Sequence, residues 1–267
     1  MKVLQTDKDK SKEEYLLLLS AFQRLIETYG NSAEKWETVE GIITLRASFL
    51  IERVIDGLSI DFNKALSLLK NHNDFTTEQE RLQREILVTA IDNLVDFAAS
   101  QEQQMLEDLP DELDNNHTEQ YETVFEKYNL GYASQENQDV LYAAGVAAWW
   151  ITVQEETLVT FMTQGDDRVR DWHLSLEGLS FLKRDFPSDL IPPIEWGCRC
   201  YLISDGFGSV YGSTKSTDQA MKVNPVFRES LATGGKIFSE MHPYFQIERI
   251  KPIQVIADRI KQKFHLL

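Results

Sequence analysis

The stretch from Glu13 to Leu109 constrains the fold more than any other feature of the chain. Its apolar residues recur at helical spacing, and it lacks the strict apolar and polar alternation of a half-buried strand. Trp36, Val39, Ile43, Phe49, Leu50 and Val54 make one stripe, and Leu82, Ile86, Leu87, Ala90, Leu94 and Phe97 make a second. Asn31 followed by Glu34, and Thr77 followed by Glu80, have the spacing in which a side chain caps the first turn of a helix. Gly41 and Gly57 weigh against a single unbroken rod. Two or three long antiparallel helices packed as a bundle are the expectation for this half.

Pro110 to His117 joins a proline to turn-forming Asp and Asn residues without an apolar anchor, so a linker and a domain boundary are expected there. Helices are expected to resume from His117 to Tyr128, stop near Gly131, restart after Ser134 and run through the apolar Val140 to Trp150 toward Met162. Beyond Gly178 prolines and glycines multiply, and short apolar runs such as Cys200 to Ile203 read as strands. The expected class is therefore α+β and predominantly helical. A helical domain would occupy 1–110, a smaller mixed α/β domain 117–205, and a C-terminal extension with a loop and a helix 206–267.

Charge and hydropathy narrow the function. The formal charge is −16, with an acidic block from Glu102 to Glu126 that repels phosphate, so weak or no direct nucleic-acid binding is expected. The tail from Lys251 to Leu267 runs the other way, with Lys251, Arg259, Lys261 and Lys263 against Asp258; it reads as a solvated helix face or a small anion-facing patch. The apolar run Val140 to Val153 falls short of the roughly 20 residues a membrane helix needs, so no membrane span is expected. The N-terminus alternates charge and lacks an apolar segment, unlike a secretory signal, which points to the cytoplasm as the place of synthesis and use.

The chemistry-bearing residues gather late in the chain. Cys198 and Cys200 are the two cysteines, and a one-residue gap strains a mutual disulfide, so a reduced pair fits better. Two thiolates alternating along an extended segment, with the imidazole of His173, supply three of the four tetrahedral ligands zinc prefers, and His242 could supply the fourth. The competing reading makes His173 a hydrogen-bonded core histidine and the cysteines small packing residues. Asp166 and Arg170 are four apart and could pair on a helix, or Arg170 and Arg199 could act as clamps on backbone carbonyls before Cys198. A dyad of His173 with Asp166 or Glu195 has no nucleophile placed beside it by a familiar spacing. Gly206, Gly208 and Gly212 miss the dinucleotide-binding spacing by one residue, and Gly235-Lys236 is followed by Ile237 where a phosphate-binding loop carries Ser or Thr. No enzymatic activity is expected on these grounds.

Thr163 to Cys200 reads TQGDDRVRDWHLSLEGLSFLKRDFPSDLIPPIEWGCRC. Thr163, Asp166, Arg168, Val169, Arg170, His173, Leu176, Gly178, Pro192, Pro193, Trp196, Cys198, Arg199 and Cys200 fall in one ordered series, which resembles the core of the phage Mu F-like family of head morphogenesis or minor capsid proteins. Phe161 stands where many relatives carry tryptophan and Gly197 where asparagine is frequent; both leave the histidine and the cysteine pair intact. The resemblance implies a low-copy minor head protein of a tailed phage or prophage, made in the host cytoplasm, assembled into the procapsid near the portal and other head proteins, and carried in the virion. Mu F-like domains also resemble parts of larger secreted effectors, so a toxin-like or enzymatic module is the competing class, with a zinc-stabilised structural protein of a mobile element as a third.

Overall fold

The structure is a computed structural model that describes residues 2–71, 74–114, 116–204 and 222–265, with side chains from 10 to 264 within those ranges. The glycine-rich segment holding Gly206, Gly208 and Gly212 lies outside the described residues. The fold is α+β and predominantly helical, with eight α-helices among the described residues: α1 Lys2–Thr28, α2 Ser32–Gly57, α3 Phe62–Lys70, α4 Glu78–Glu107, α5 Glu122–Glu126, α6 Ala133–Trp150, α7 Asp171–Leu174 and α8 Lys251–His265. Three short strands, β1 Leu158–Met162, β2 Ser180–Leu182 and β3 Tyr201–Ile203, form one antiparallel sheet in the order β2-β1-β3.

Local chemistry accounts for several boundaries. Asn31 accepts from the Ala33 N–H at 3.2 Å and donates to Glu34 at 2.8 Å, starting α2. Thr77 accepts from the Glu80 N–H at 3.2 Å, while the Glu80 carboxylate turns back to the Thr76 N–H at 3.1 Å, so α4 begins where the capping pattern places it. Two expectations fail here. The chain does not stop near Gly131: α5 continues through a π-helical turn, Lys127–Tyr132, directly into α6, the wider turn absorbing an extra residue without breaking the helix. Nor does α6 run on toward Met162. It ends at Trp150, and Leu158–Met162 becomes β1, buried on both faces at Val159, Thr160 and Phe161. A continuous apolar run of this length suits a buried strand as well as a buried helix, which is why its periodicity misleads.

The chain forms two compact units, each drawn from separated stretches: Met1–Glu52, Leu94–Asn137 and Pro243–Leu266 in one, Arg53–Asn93 and Gln138–His242 in the other. This differs from contiguous domains cut at 110 and 206. Gly57 gives one physical reason. A Cβ built there would lie 2.6 Å from Ala144 Cβ and 2.7 Å from the Leu141 carbonyl, so only glycine lets the end of α2 approach α6 this closely, tying Arg53–Gly57 to the second unit.

In the first unit, Ile253, Ile256, Ala257 and Ile260 make a buried stripe on α8, and Phe22 of α1 stacks on Phe125 at 5.0 Å. Arg259 and Lys263 of α8 pair with Glu40, and Lys261 pairs with Asp96. Three of the tail's four basic residues are thus engaged by acidic partners on α2 and α4. In the second unit, the core joins Trp150, Val159, Phe161, Leu176, Phe186, Leu190, Ile191, Ile194, Leu202 and Val223 with both cysteines. No helix among the described residues is long and apolar enough to cross a membrane.

Candidate metal centre

Sheet register explains why distant residues converge. Met162 at the end of β1 pairs with Tyr201 at the start of β3, so the segments bearing Thr163 and Cys200 leave the same end of the sheet. After β1, Thr163 accepts from the Gly165 N–H at 3.3 Å and donates to Glu177, and Gly165 turns the chain at φ 66°. Asp166 accepts from the Arg168 N–H at 3.2 Å, closing the turn into α7. His173 lies in α7, which is only one turn long, shorter than the helix end its sequence suggests. Gly178, at φ 79°, donates to the Phe161 carbonyl at 2.9 Å, and Phe161 donates to the Leu179 carbonyl at 2.8 Å. This pair of bonds folds the excursion back onto β1, with Leu176 buried beneath it.

The cysteine loop is fixed from two sides. The Gly197 N–H, on a residue at φ 64°, donates to the Asp139 carboxylate at 3.0 Å, and the Tyr142 hydroxyl donates to the Cys200 carbonyl. Asp139 and Tyr142 are three apart on α6 and therefore share a face. Arg170 donates to the Trp196 carbonyl at 2.8 Å, the clamp expected of it, although its side chain is exposed. Arg199 does not clamp a carbonyl; it pairs with Asp166 at 2.8 Å, holding that carboxyl below its ordinary range. That contact replaces the expected helical pair of Asp166 with Arg170, because Asp166 sits in a turn before α7 begins.

His173, Cys198 and Cys200 meet. All three are buried, and their ligand atoms lie within 4.8 Å of one another. His173 Nδ1 is 3.3 Å from Cys200 Sγ and 3.9 Å from Cys198 Sγ. Metal–nitrogen and metal–sulfur bonds of zinc length at a tetrahedral angle would hold N and S about 3.5 Å apart, between those two distances. The thiols share a proton unequally. Cys198 is held well below the ordinary thiol range by the Cys200 hydrogen bond and then by His173, while Cys200 is pushed up by its bond to Cys198 and by burial. A thiolate already favoured in the fold is the form that binds metal. His173 Nε2 is buried without a hydrogen-bond partner among the described residues, so the ring's directional contacts fall on the Nδ1 side, toward the sulfurs. The three residues could hold a metal ion.

His242 does not join them. Its ring packs against Trp196 and Phe238, with centroids 5.4 Å away in each case, and burial pushes its pKa down to about 3. Trp196 belongs to that aromatic group as well, at 4.9 Å from Phe227 and 5.7 Å from Phe238. Glu195 accepts from Asn224 at 2.7 Å and from the Trp196 N–H, and Asp166 is engaged by Arg199; neither carboxylate is hydrogen-bonded to His173. Asp139 and Tyr142, which fix the loop, were not read from the sequence as site residues. The available signal was a carboxylate at the head of a long apolar run, buried in the structure.

No family model, no curated protein and no solved structure matches this chain.

Proposed function

We propose that the chain is a minor head protein of a tailed phage or prophage, of the Mu F-like kind, whose His173, Cys198 and Cys200 bind zinc. The observation that carries the reading is the ordered resemblance from Thr163 to Cys200, supported by the convergence of its histidine and both cysteines in one buried cluster. Two thiolates and an imidazole favour zinc over harder divalent ions, which prefer oxygen donors. Bound there, zinc would cross-link the α7 excursion to the loop before β3. Portal and other head proteins are the proposed partners, and the virion the proposed location.

Because 53–93 belongs to the unit that carries the cluster, a truncation at Pro110 would remove part of it, and the test therefore uses the full chain. A tagged chain expressed during head assembly should copurify with procapsids at low copy, as measured by mass spectrometry of gradient-purified heads. Its absence from heads would refute the head-protein reading. Elemental analysis should find one zinc per chain in native protein and none in the Cys198→Ser, Cys200→Ser double variant, and zinc-free native protein would refute the metal reading separately.

A further inference from the structure

We infer that the metal centre is open: among the described residues its protein ligands are His173, Cys198 and Cys200, and its fourth ligand is a small exogenous anion or water admitted between the arginines. This rests on the metal reading above and goes beyond it, because a closed, four-protein-ligand site would only cross-link the chain, whereas an open one would also offer a Lewis-acid position.

Three features lead there. Among the described residues the donor group has three members, and His242, the one histidine the sequence offers as a fourth, is engaged with Trp196 and Phe238 instead. A cavity of about 10 Å³ adjoins the donors, lined by Gly197 and by Arg168, Arg170 and Arg199 as well as the three ligands. That is about the room one water needs. The charges agree: a divalent ion bound by two thiolates and a neutral imidazole is neutral, so the nearby guanidinium groups are not offset by the centre and favour an anion at its open position. Arg199 is hydrogen-bonded to Asp166 and Arg170 to the Trp196 carbonyl, whereas the Arg168 side chain meets Asp166 only through its charge, which makes it the guanidinium best able to reorient toward the ligand.

Cobalt(II) loaded into the full-length chain tests this with azide as the probe. Charge-transfer bands from two thiolates should appear with visible d–d bands of a four-coordinate ion, and azide should shift the d–d bands saturably. Arg168→Ala should weaken azide binding by roughly two- to fivefold, the scale of one exposed charge, without changing cobalt stoichiometry. His242→Ala should bind cobalt with an unchanged spectrum. Failure to bind cobalt at all would remove the metal reading itself. Cobalt bound with bands that ignore azide, or lost in His242→Ala, would overturn the open centre while leaving a metal in place.

Discussion

The two units bury polar chemistry in opposite ways. In the first, Arg46 is sealed from solvent yet spends its guanidinium on protein: it donates to Gln101 at 2.7 Å, Asn137 at 2.6 Å and Glu136 at 2.8 Å. Glu136 also accepts from Gln101 at 2.8 Å and from the Tyr244 hydroxyl at 3.0 Å. The groups of this network find their partners inside the fold, although burial still pushes the Glu136 carboxyl above its ordinary range. In the second unit, the buried donor atoms of His173, Cys198 and Cys200 lie within 4.8 Å of one another, with His173 Nδ1 3.3 Å from Cys200 Sγ and 3.9 Å from Cys198 Sγ. A buried group satisfied by its neighbours supports structure, whereas metal-ligating atoms that converge on a common point could hold an ion.

The sharpest way to break this contrast is to remove Arg46. Arg46→Met leaves Glu136 buried without its cation, and breaking a buried pair by removing one partner costs about 3–5 kcal/mol. Urea denaturation should therefore show the largest loss of any substitution considered, and the double variant Arg46→Met, Glu136→Met should recover most of it. If the double variant is as unstable as the single, the network's worth lies in packing and not in charge, and the contrast with the thiol cluster loses its basis.

Residue type and spacing carried some of this architecture and left the rest out. Thr77 and Glu80 announce a helix start because capping is local, involving neighbours along the chain. His173 and the cysteine pair stand out because thiol and imidazole are scarce and chemically distinctive. Asp139 and Tyr142 did not, since their role depends on how α6 lies against the Gly197 loop, and no local pattern encodes that. The Arg46 network is hidden for the same reason: its partners lie on α4 and at the start of α6, far along the chain. His242 misled in the other direction, being the right residue type placed by the fold among aromatic rings.

Glu102 sharpens the comparison from inside the first unit. Burial pushes its pKa up to about 7, against an ordinary value of 4.5, and one of its oxygens has no hydrogen-bond partner among the described residues. Below pH 4.5 the carboxyl is protonated in both folded and unfolded chains, and its contribution to stability is fully present. Between 4.5 and about 7 the unfolded chain releases the proton while the folded chain keeps it, so stability falls as pH rises, by roughly 3 kcal/mol over the window, and then levels off. Glu102→Gln should flatten this slope and be the more stable protein at pH 8 in urea titrations. Equal slopes for both proteins would mean that burial does not keep this carboxyl protonated in the folded chain.

Metal removal probes the other side. At free zinc a hundredfold above the dissociation constant, binding to the folded chain alone adds about 2.7 kcal/mol, so chelation should lower the thermal midpoint of native protein. The same chelator should leave the midpoint of the Cys198→Ser, Cys200→Ser variant where it was. A chelator effect that survives in the variant would assign the ion to another place.

The smallest expected effect is the most direct test of what burial contributes. Asp166 and Arg199 meet at the same 2.8 Å as Arg46 and Glu136, but their side chains are 39% and 38% exposed where the buried pair shows 4% or less. Water and salt screen the outer pair in both folded and unfolded chains, so its geometry says little about its worth. Asp166→Asn should leave the denaturation midpoint within experimental scatter in 0.15 M salt. It should nevertheless free Arg199, which lines the same small cavity as the donors, and so tighten azide binding to the cobalt form. A variant that loses stability on the scale of Arg46→Met would show that the turn between β1 and α7 depends on this contact for its shape, and that equal distances imply equal roles after all.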